Sequence, residues 1–218
     1  MSEQFINWAK QQLGDTIIVS KELHGDQSEV FKLQTANENF FLKISKNLER
    51  ERKRLKWLEE KLPAPRVIDF ITIDNKDALL LSAIEGFNLA VLSKKWPAEK
   101  VVDSLAEAIK RFHSIDMKSC PFGIFDENKV LVHGDACLPN FIFQNDNFSG
   151  YIDLGDMEIG DPEIDLAAAI WSLQYNLGAG HGLRFLEKYG VKNATEELVE
   201  KLRLQYEDMQ REWRLIEK

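Results

Sequence analysis

The spacing of apolar residues changes period several times along the chain. The opening MSEQFINWAKQQLG sets Phe5, Ile6, Trp8, Ala9 and Leu13 at helical intervals and predicts a short amphipathic helix. Runs from Thr16 to Leu23, Glu29 to Leu33 and Asn39 to Ile44 are rich in β-branched and aromatic residues. Turn residues at Gly25-Asp26 and Ala36-Asn37 separate them, which predicts a meander of antiparallel strands. Asn47 to Lys61 returns to helical spacing, with Leu48, Leu55, Trp57 and Leu58 on one face and Pro63 and Pro65 as the stop. Two more strands, Val67 to Ile73 and Ala78 to Ser82, flank an Asp74-Asn75-Lys76 turn.

Beyond Ser82-Ala83-Ile84-Glu85-Gly86 the sequence becomes mostly helical. Pro97 to Ile115 carries Val101, Val102, Leu105, Ala108, Ile109 and Phe112 as a core helix should, and its His113 reads as structural. Asp161-Pro162 begins another helix by the N-cap and first-turn rules, with a buried stripe of Ile164, Leu166, Ala167, Ala168 and Ile170. Gly182 to Tyr189 and Ala194 to Ile216 complete the set, the last with Leu198, Leu202, Tyr206 and Met209 on one side. Three short apolar runs, Val130 to Val132, Phe141 to Phe143 and Tyr151 to Leu154, read as strands around a polar loop. The pattern is α+β: a small antiparallel sheet plus helix, then a helical part.

That loop carries the chemistry. It contains His133, Asp135, Pro139 and Asn140, and the third apolar run delivers Asp153. Phosphoryl transfer needs a group to orient an acceptor hydroxyl and oxygen ligands for the metal that neutralises phosphate charge. Asp135 fits the hydroxyl-proton acceptor, and Asn140 and Asp153 fit magnesium ligands. The D-x-x-x-x-N spacing and Asp153-Leu154-Gly155 match a kinase loop and its D-F-G position. The three side chains are expected to converge on one divalent cation; the bland reading is a set of turn-capping polar residues. An earlier H-G-D, His24-Gly25-Asp26, has no asparagine five residues on and reads as a turn.

His133-Gly134-Asp135-Ala136-Cys137-Leu138-Pro139-Asn140, followed by Gly150-Tyr151-Ile152-Asp153-Leu154-Gly155, resembles the aminoglycoside phosphotransferases, the 3′-hydroxyl subgroup in particular. Other landmarks follow in order: Gln27 to Leu33 resembles the loop over the nucleotide phosphates, Phe40 to Ile44 the lysine-bearing strand, and Glu51 to Leu58 the helix with the lysine's partner. Leu79 to Gly86 resembles the interlobe hinge, and Ala106 to His113 with Cys120-Pro121-Phe122 the approach to the loop. The resemblance implies a protein-kinase-like, two-lobed fold, with residues 1–82 as nucleotide-binding lobe, 83–88 as hinge and 89–218 as catalytic and substrate-binding lobe. One departure stands out. Family members insert a helical segment that helps form the antibiotic pocket, whereas only Gly123 to Val130 lie between Phe122 and Leu131 here, so the acceptor site should be more open.

Under this resemblance Lys43 contacts nucleotide phosphate. Its strand neighbours Phe41, Leu42 and Ile44 are apolar, so an enclosed ammonium there must find anions; the alternative is a snorkelling surface lysine. Glu51 matches its ion-pair partner, with Glu49 second and intrahelical pairs such as Glu51 with Arg54 or Glu49 with Lys53 as the competing reading. Neither G-x-G-x-x-G nor G-x-x-x-x-G-K-[ST] occurs, which removes the Rossmann and P-loop readings. The family's phosphate turn would be Gly25-Asp26-Gln27-Ser28, with the Ser28 hydroxyl facing phosphate, although serine is also a common turn residue. Ser82, Ala83 and Ile84 would offer backbone groups to the adenine edge, or form a plain strand-to-helix loop. Asp165 would hydrogen-bond the catalytic-loop backbone, and His133 would brace that loop. Asp156, Glu158, Glu207 and Asp208 stand where the family sets carboxylates against a polyamine, though for any one of them an acidic, solvated surface is the leading explanation.

Composition narrows the partners. The formal charge of −8 argues against nucleic acid and would attract cationic ligands, and the acceptor the resemblance implies is small, hydroxylated and cationic. No run approaches a membrane span, and the N-terminus has no basic segment followed by a long apolar core. With two cysteines, Cys120 and Cys137, a disulfide framework is not expected and a reducing cytoplasm is the natural compartment. Cys137 reads as a small loop residue, with a reactive thiol as the alternative. The expected activity is transfer of the γ-phosphoryl group of ATP or GTP, with magnesium, to an aminoglycoside-like hydroxyl. Two other readings remain: a metal-dependent phosphohydrolase using His133, Asp135, Asp153 and Asp156, and a noncatalytic nucleotide-binding relative of the kinases.

Overall fold

The computed structural model describes residues 2–14, 18–22 and 28–216, with the side chains of 22 and 213–216 left aside. The chain divides into two compact units, Met1–Ile84 and Glu85–Lys218.

The first unit is built on one antiparallel sheet. Its strands are β1 (Ile18–Glu22), β2 (Glu29–Gln34), β3 (Asn39–Ser45), β4 (Val67–Ile73) and β5 (Lys76–Ser82), in the order β1-β2-β3-β5-β4. The alternation along β3 fixes its two faces. Phe40, Leu42 and Ile44 join Phe31, Leu33, Ala78 and Leu80 in a core closed by Phe5 and Ala9 of helix α1 (Ser2–Leu13). Period two therefore turns Lys43 to the opposite face, where helix α2 (Glu49–Leu58) presents Glu51. The interior strand β5, between β3 and β4, is buried from Asp77 to Leu81, as a strand covered on both faces must be. Asp74 and Asn75 take positive φ in the β4–β5 turn, the conformation a tight two-residue hairpin requires. Three sequence expectations fall partly or wholly on residues 15–17 and 23–27, outside the described residues: the ends of the first strand, the His24-Gly25-Asp26 turn and the Gly25-Asp26-Gln27 part of the phosphate turn.

The second unit opens with β6 (Phe87–Asn88) and α3 (Leu89–Leu92), a short helix that the apolar pattern does not announce. Helix α4 (Ala98–His113) buries Val101, Val102, Leu105, Ala106, Ala108, Ile109 and Phe112, the stripe expected of it. Burying side chains of this size contributes roughly 1.5–3 kcal/mol each. After α4 the chain runs without helix to β7 (Val130–Val132), and Ile124 and Phe125 on the way are exposed. β8 (Phe141–Gln144) and β9 (Asn147–Tyr151) form a hairpin that β6 joins, while β7 pairs with β10 (Glu158–Gly160). Helices α5 (Glu163–Leu177), α6 (Gly182–Tyr189) and α7 (Glu196–Ile216) complete the unit. Among the described residues no helix is long and apolar enough to cross a membrane.

One expectation needs correcting. The run from Tyr151 to Leu154 is a strand only at its first residue. Tyr151, opposite Phe141, ends the hairpin, and Asp153 then takes φ +58°, which carries the chain out of the sheet. Alternation of apolar residues suggested a strand, but Ile152 and Leu154 serve a turn instead. β10 was missed for the converse reason: three residues, one of them glycine, are too few to show a period.

Candidate active site

In the second unit the 133–140 loop is held from below by Asp165. That carboxylate is fully buried at the start of α5 and accepts three hydrogen bonds: from the backbone N–H of His133 (2.7 Å), from that of Gly134 (2.9 Å) and from His113 Nε2 (2.9 Å). An ionised carboxylate can only accept, so Nε2 of His113 carries a proton toward Asp165, and Nδ1 is hydrogen-bonded with the Tyr189 hydroxyl at 2.8 Å. This is the loop-supporting geometry anticipated for Asp165. Gly134 has φ +87°, and a Cβ there would lie 2.7 Å from the Asp156 carbonyl oxygen, so the loop can turn against Asp156 only with glycine.

His133 sits 1% exposed between the rings of Phe112 and Phe141. Its Nδ1 accepts the Asp135 N–H (3.3 Å) and its Nε2–H donates to the Ile152 carbonyl (3.0 Å). Both ring nitrogens are thereby engaged by backbone, which makes the ring a brace across to the residue before Asp153 and removes it from metal ligation.

Asp135 and Asn140 meet directly. The Asn140 amide nitrogen donates to the Asp135 carbonyl (2.8 Å) and to Asp135 Oδ2 (2.9 Å). Two acceptors on that side leave no ambiguity about the orientation of the amide: its nitrogen faces Asp135 and its oxygen faces away. The Asn140 carbonyl in turn accepts the Ile152 N–H (3.0 Å), which places Asp153 one residue beyond a direct tie to Asn140. Tyr151, fully buried with its hydroxyl on the Ala108 carbonyl (2.9 Å) and its ring against Phe112, anchors that segment. Asp153 itself is exposed. The Asn140 amide oxygen and the Asp153 carboxylate are hard oxygen donors of the type magnesium takes, so the donor set fits that ion.

Two supports were not legible beforehand. Tyr206 of α7 donates its hydroxyl to Asp135 Oδ1 at 3.2 Å and lies 3.4 Å from Cys137 Sγ. Ser172 of α5 accepts the Leu138 N–H at 2.9 Å. Tyr206 looked like one more residue of an apolar stripe, and nothing nearby in sequence marks where a phenol hydroxyl ends up. Burial first, then Cys137 and Asp135 beside it, push the Tyr206 hydroxyl well above its usual range, so it stays protonated and donates. Burial and the neighbouring Asp135 charge likewise hold the Cys137 thiol well above its ordinary value, so this cysteine is a packed thiol and not a nucleophile.

The four acids considered for an acceptor are spread out. Asp156 and Glu158 are half-buried, the first packed on Gly134 and the second in β10 opposite Val132. On α7, Glu207 is engaged by Arg203 and Asp208 accepts from Arg211 at 2.9 Å. These two arrive already paired with arginines of their own helix.

In the first unit Lys43 Nζ donates to Glu51 Oε2 at 2.8 Å, with side-chain exposures of 18% and 6%. Glu49, the second candidate, is bonded instead by Arg52 (2.6 Å). Ser28 is half-buried just before β2. Of the hinge candidates, the Ser82 N–H donates to the Arg66 carbonyl (3.0 Å) and the Ala83 N–H to that of Asn39 (3.1 Å). Any adenine contact from those two would have to run through their carbonyls.

The phosphotransferase enzyme family matches this chain in two overlapping pieces, residues 20–128 and 123–202. The pieces meet in the segment where a helical insertion was expected to be missing. An aminoglycoside 3′-phosphotransferase of Niallia circulans is 25% identical over 252 aligned positions, covering 91% of this chain and 96% of its own. That alignment is longer than the 218 residues here, so the relative carries segments this chain lacks. A probable aminoglycoside 3′-phosphotransferase of Lactococcus lactis is 27% identical over 199 residues, 70% of this chain and 76% of its own. Among solved structures, the aminoglycoside phosphotransferase APH(3'')-Id of Streptomyces rimosus superposes with a TM-score of 0.71 at 22% identity, covering 92% of this chain and 95% of that one. An aminoglycoside-3'-phosphotransferase of type VIII gives 0.75 at 21%, covering 92% and 97%. The α+β, protein-kinase-like architecture expected from the sequence is the fold these structures share with it.

Proposed function

We propose, from the premise that this chain belongs to the phosphotransferase enzyme family, that it moves the γ-phosphoryl group of ATP or GTP to a hydroxyl of an aminoglycoside-like, cationic acceptor. The relatives are named for phosphorylating aminoglycosides, and solved relatives hold ADP with streptomycin or AMP-PNP with hygromycin B. The observation that carries the reading is the Asp135 carboxylate, held on Oδ2 by Asn140 and on Oδ1 by Tyr206. A side chain fixed at both oxygens presents its remaining lone pairs in one direction, which is what a proton acceptor for an incoming hydroxyl requires.

The assigned roles follow from that geometry. Asp135 takes the acceptor's proton as the acceptor oxygen bonds to the γ-phosphorus and the bond to the leaving nucleoside diphosphate breaks. Asn140, through its amide oxygen, and Asp153 would hold magnesium, which supplies neutralisation of phosphate charge when bound. Lys43, oriented by Glu51, is assigned to phosphate, as is Ser28; Ser82, Ala83 and Ile84 are assigned to the base. Asp165 and His133 support the loop without touching substrate. Asp156, Glu158, Glu207 and Asp208 supply negative field for a cationic acceptor, the last two by exchanging partners from their surface arginines, an exchange that costs little.

A phosphohydrolase with a two-metal centre is disfavoured, because its one histidine ligand would have been His133. Among the described residues no three of His, Cys, Asp and Glu assemble as a metal-holding set. The test is the purified protein with magnesium and ATP or GTP against an aminoglycoside panel. Phosphorylated acceptor with stoichiometric diphosphate supports the proposal. Release of phosphate from a phosphoester without an acceptor alcohol restores the hydrolase, and no nucleotide binding at millimolar concentration rejects the kinase reading.

A further inference from the structure

Two side chains of the first unit reach from one face of its sheet to the first turn of one helix. In the β3–β5 ladder Lys43 pairs with Leu79 and Ser45 with Asp77, so Lys43 and Asp77 share a face, the one away from Phe40, Leu42, Ala78 and Leu80. Lys43 Nζ donates to Glu51 Oε2 at 2.8 Å, and the Leu48 backbone N–H donates to Asp77 Oδ2 at 2.8 Å. Leu48 precedes α2 without a side-chain cap of its own, and Glu51 follows it at i+3 on the same side of the helix. The other oxygen of Asp77 accepts the Thr72 hydroxyl at 2.7 Å.

We propose that Asp77 is a positioning residue for nucleotide binding: by holding the start of α2 it sets Glu51, and through Glu51 the Lys43 ammonium. This deepens the kinase reading and rests on it for the phosphate role of Lys43. The bland explanation is a polar cross-strand pair, since Asp77 stands opposite Thr72 in the β4–β5 hairpin. It accounts for one oxygen only. Asp77 is 9% exposed, and among the described residues no lysine, arginine or histidine forms an ion pair with it. A buried carboxylate without a cation is costly, so a hairpin alone would be better served by an apolar or hydroxyl side chain. The Leu48 N–H and the positive end of α2 offset that cost. Burial of Leu55 and Leu58 also holds the helix, but apolar contact is non-directional and lets a helix slide along its axis. A slide of one residue moves Glu51 by about 1.5 Å, enough to open its bond to Lys43. The directional bond at Leu48 removes that freedom.

The test is acylation of the Lys43 amine in the whole protein, read by mass spectrometry against the exposed Lys118, beside titration with ATP and magnesium. The variants are Asp77→Leu, Asp77→Ala, Asp77→Asn and Glu51→Gln, with unfolding midpoints to check folding. Failure of both Asp77→Leu and Asp77→Ala to fold makes Asp77 a folding residue and overturns the proposal. Folded, these two should speed Lys43 acylation about threefold and weaken ATP about fivefold. Asp77→Asn, which keeps an accepting oxygen for Leu48, should stay within about twofold on both. In the Glu51→Gln background Asp77→Ala should add nothing, because the link it acts through is already cut, whereas a merely structural role would multiply the two effects. Acylation that follows this pattern in a protein that binds no nucleotide keeps the Asp77–Glu51–Lys43 linkage and rejects the kinase reading. Acylation indifferent to Asp77, effects that multiply with Glu51→Gln, or ATP bound equally by wild type and Asp77→Ala overturns the role of Asp77.

Discussion

Replacing Asp165 by alanine should cost the second unit a large part of its stability. The carboxylate is fully buried and is the acceptor for three donors, the His133 and Gly134 backbone N–H groups and His113 Nε2–H. Alanine leaves those donors in a place water does not reach. Each stranded donor costs about 1–3 kcal/mol, so roughly 3–6 kcal/mol is expected after some relaxation. Against a total of about 5–15 kcal/mol for a domain, that is severe. Urea unfolding followed by Trp171 and Trp96, which belong to this unit, reads it directly. With a slope of about 2 kcal/mol per molar, the midpoint should fall by about 1.5–3 M. Asp165→Asn keeps one accepting oxygen and should lose less. A shift under about 0.5 M for the alanine variant would mean that the loop finds its position without this carboxylate, and the account of the site as an Asp165-supported turn would be wrong.

Asp135→Asn should lower turnover by about a hundredfold to ten-thousandfold while nucleotide affinity stays within about twofold, checked by steady-state kinetics and by nucleotide titration. Asp153→Ala should abolish the magnesium-dependent part of nucleotide binding; affinity that responds to magnesium as in wild type would remove Asp153 from the metal. Cys137 gives a pH signature. Its folded thiol is held above the ordinary value of 9.0, so the folded state keeps a proton that the unfolded chain loses as pH rises past that value. Its contribution is complete below about pH 9 and declines above it by up to about 1.4 kcal/mol per pH unit. Cys137→Ala should flatten that part of the stability curve, measured by urea midpoints between about pH 8 and pH 10. Tyr151 and Tyr206, raised from 10.0, add the same sign only above that value.

Much of the architecture was legible because it rests on periodicity. α1, α4, α6 and β4 were visible in the spacing of their apolar residues, and the Lys43–Glu51 pair was expected from the resemblance to the family's lysine-bearing strand and its partner helix. The Asp135–Asn140 contact was foreshadowed by a spacing of five residues. What stayed hidden depends on pairing between distant segments. β10 and α3 are too short to show a period, and the end of the strand before Asp153 is set by a backbone torsion that an Ile-Asp-Leu sequence does not reveal. Tyr206 is the clearest case: its hydroxyl meets Asp135 across 71 positions of chain, and from sequence it was only another ring in a helix stripe.

The hairpin that joins Asn140 to Ile152 has a consequence for how such a protein can shorten. Asn140 and Asp153, the two oxygen donors, are coupled through a single N–H···O=C link inside one tight β-ribbon, so their mutual placement is indifferent to the length of the stretch between α4 and β7. That stretch is fastened where the Ile159 N–H meets the Phe122 carbonyl at 2.8 Å, and is otherwise a run of exposed residues from 123 to 129. Trimming or lengthening it leaves the Asn140–Ile152 link, and with it the spacing of Asn140 and Asp153, where it is.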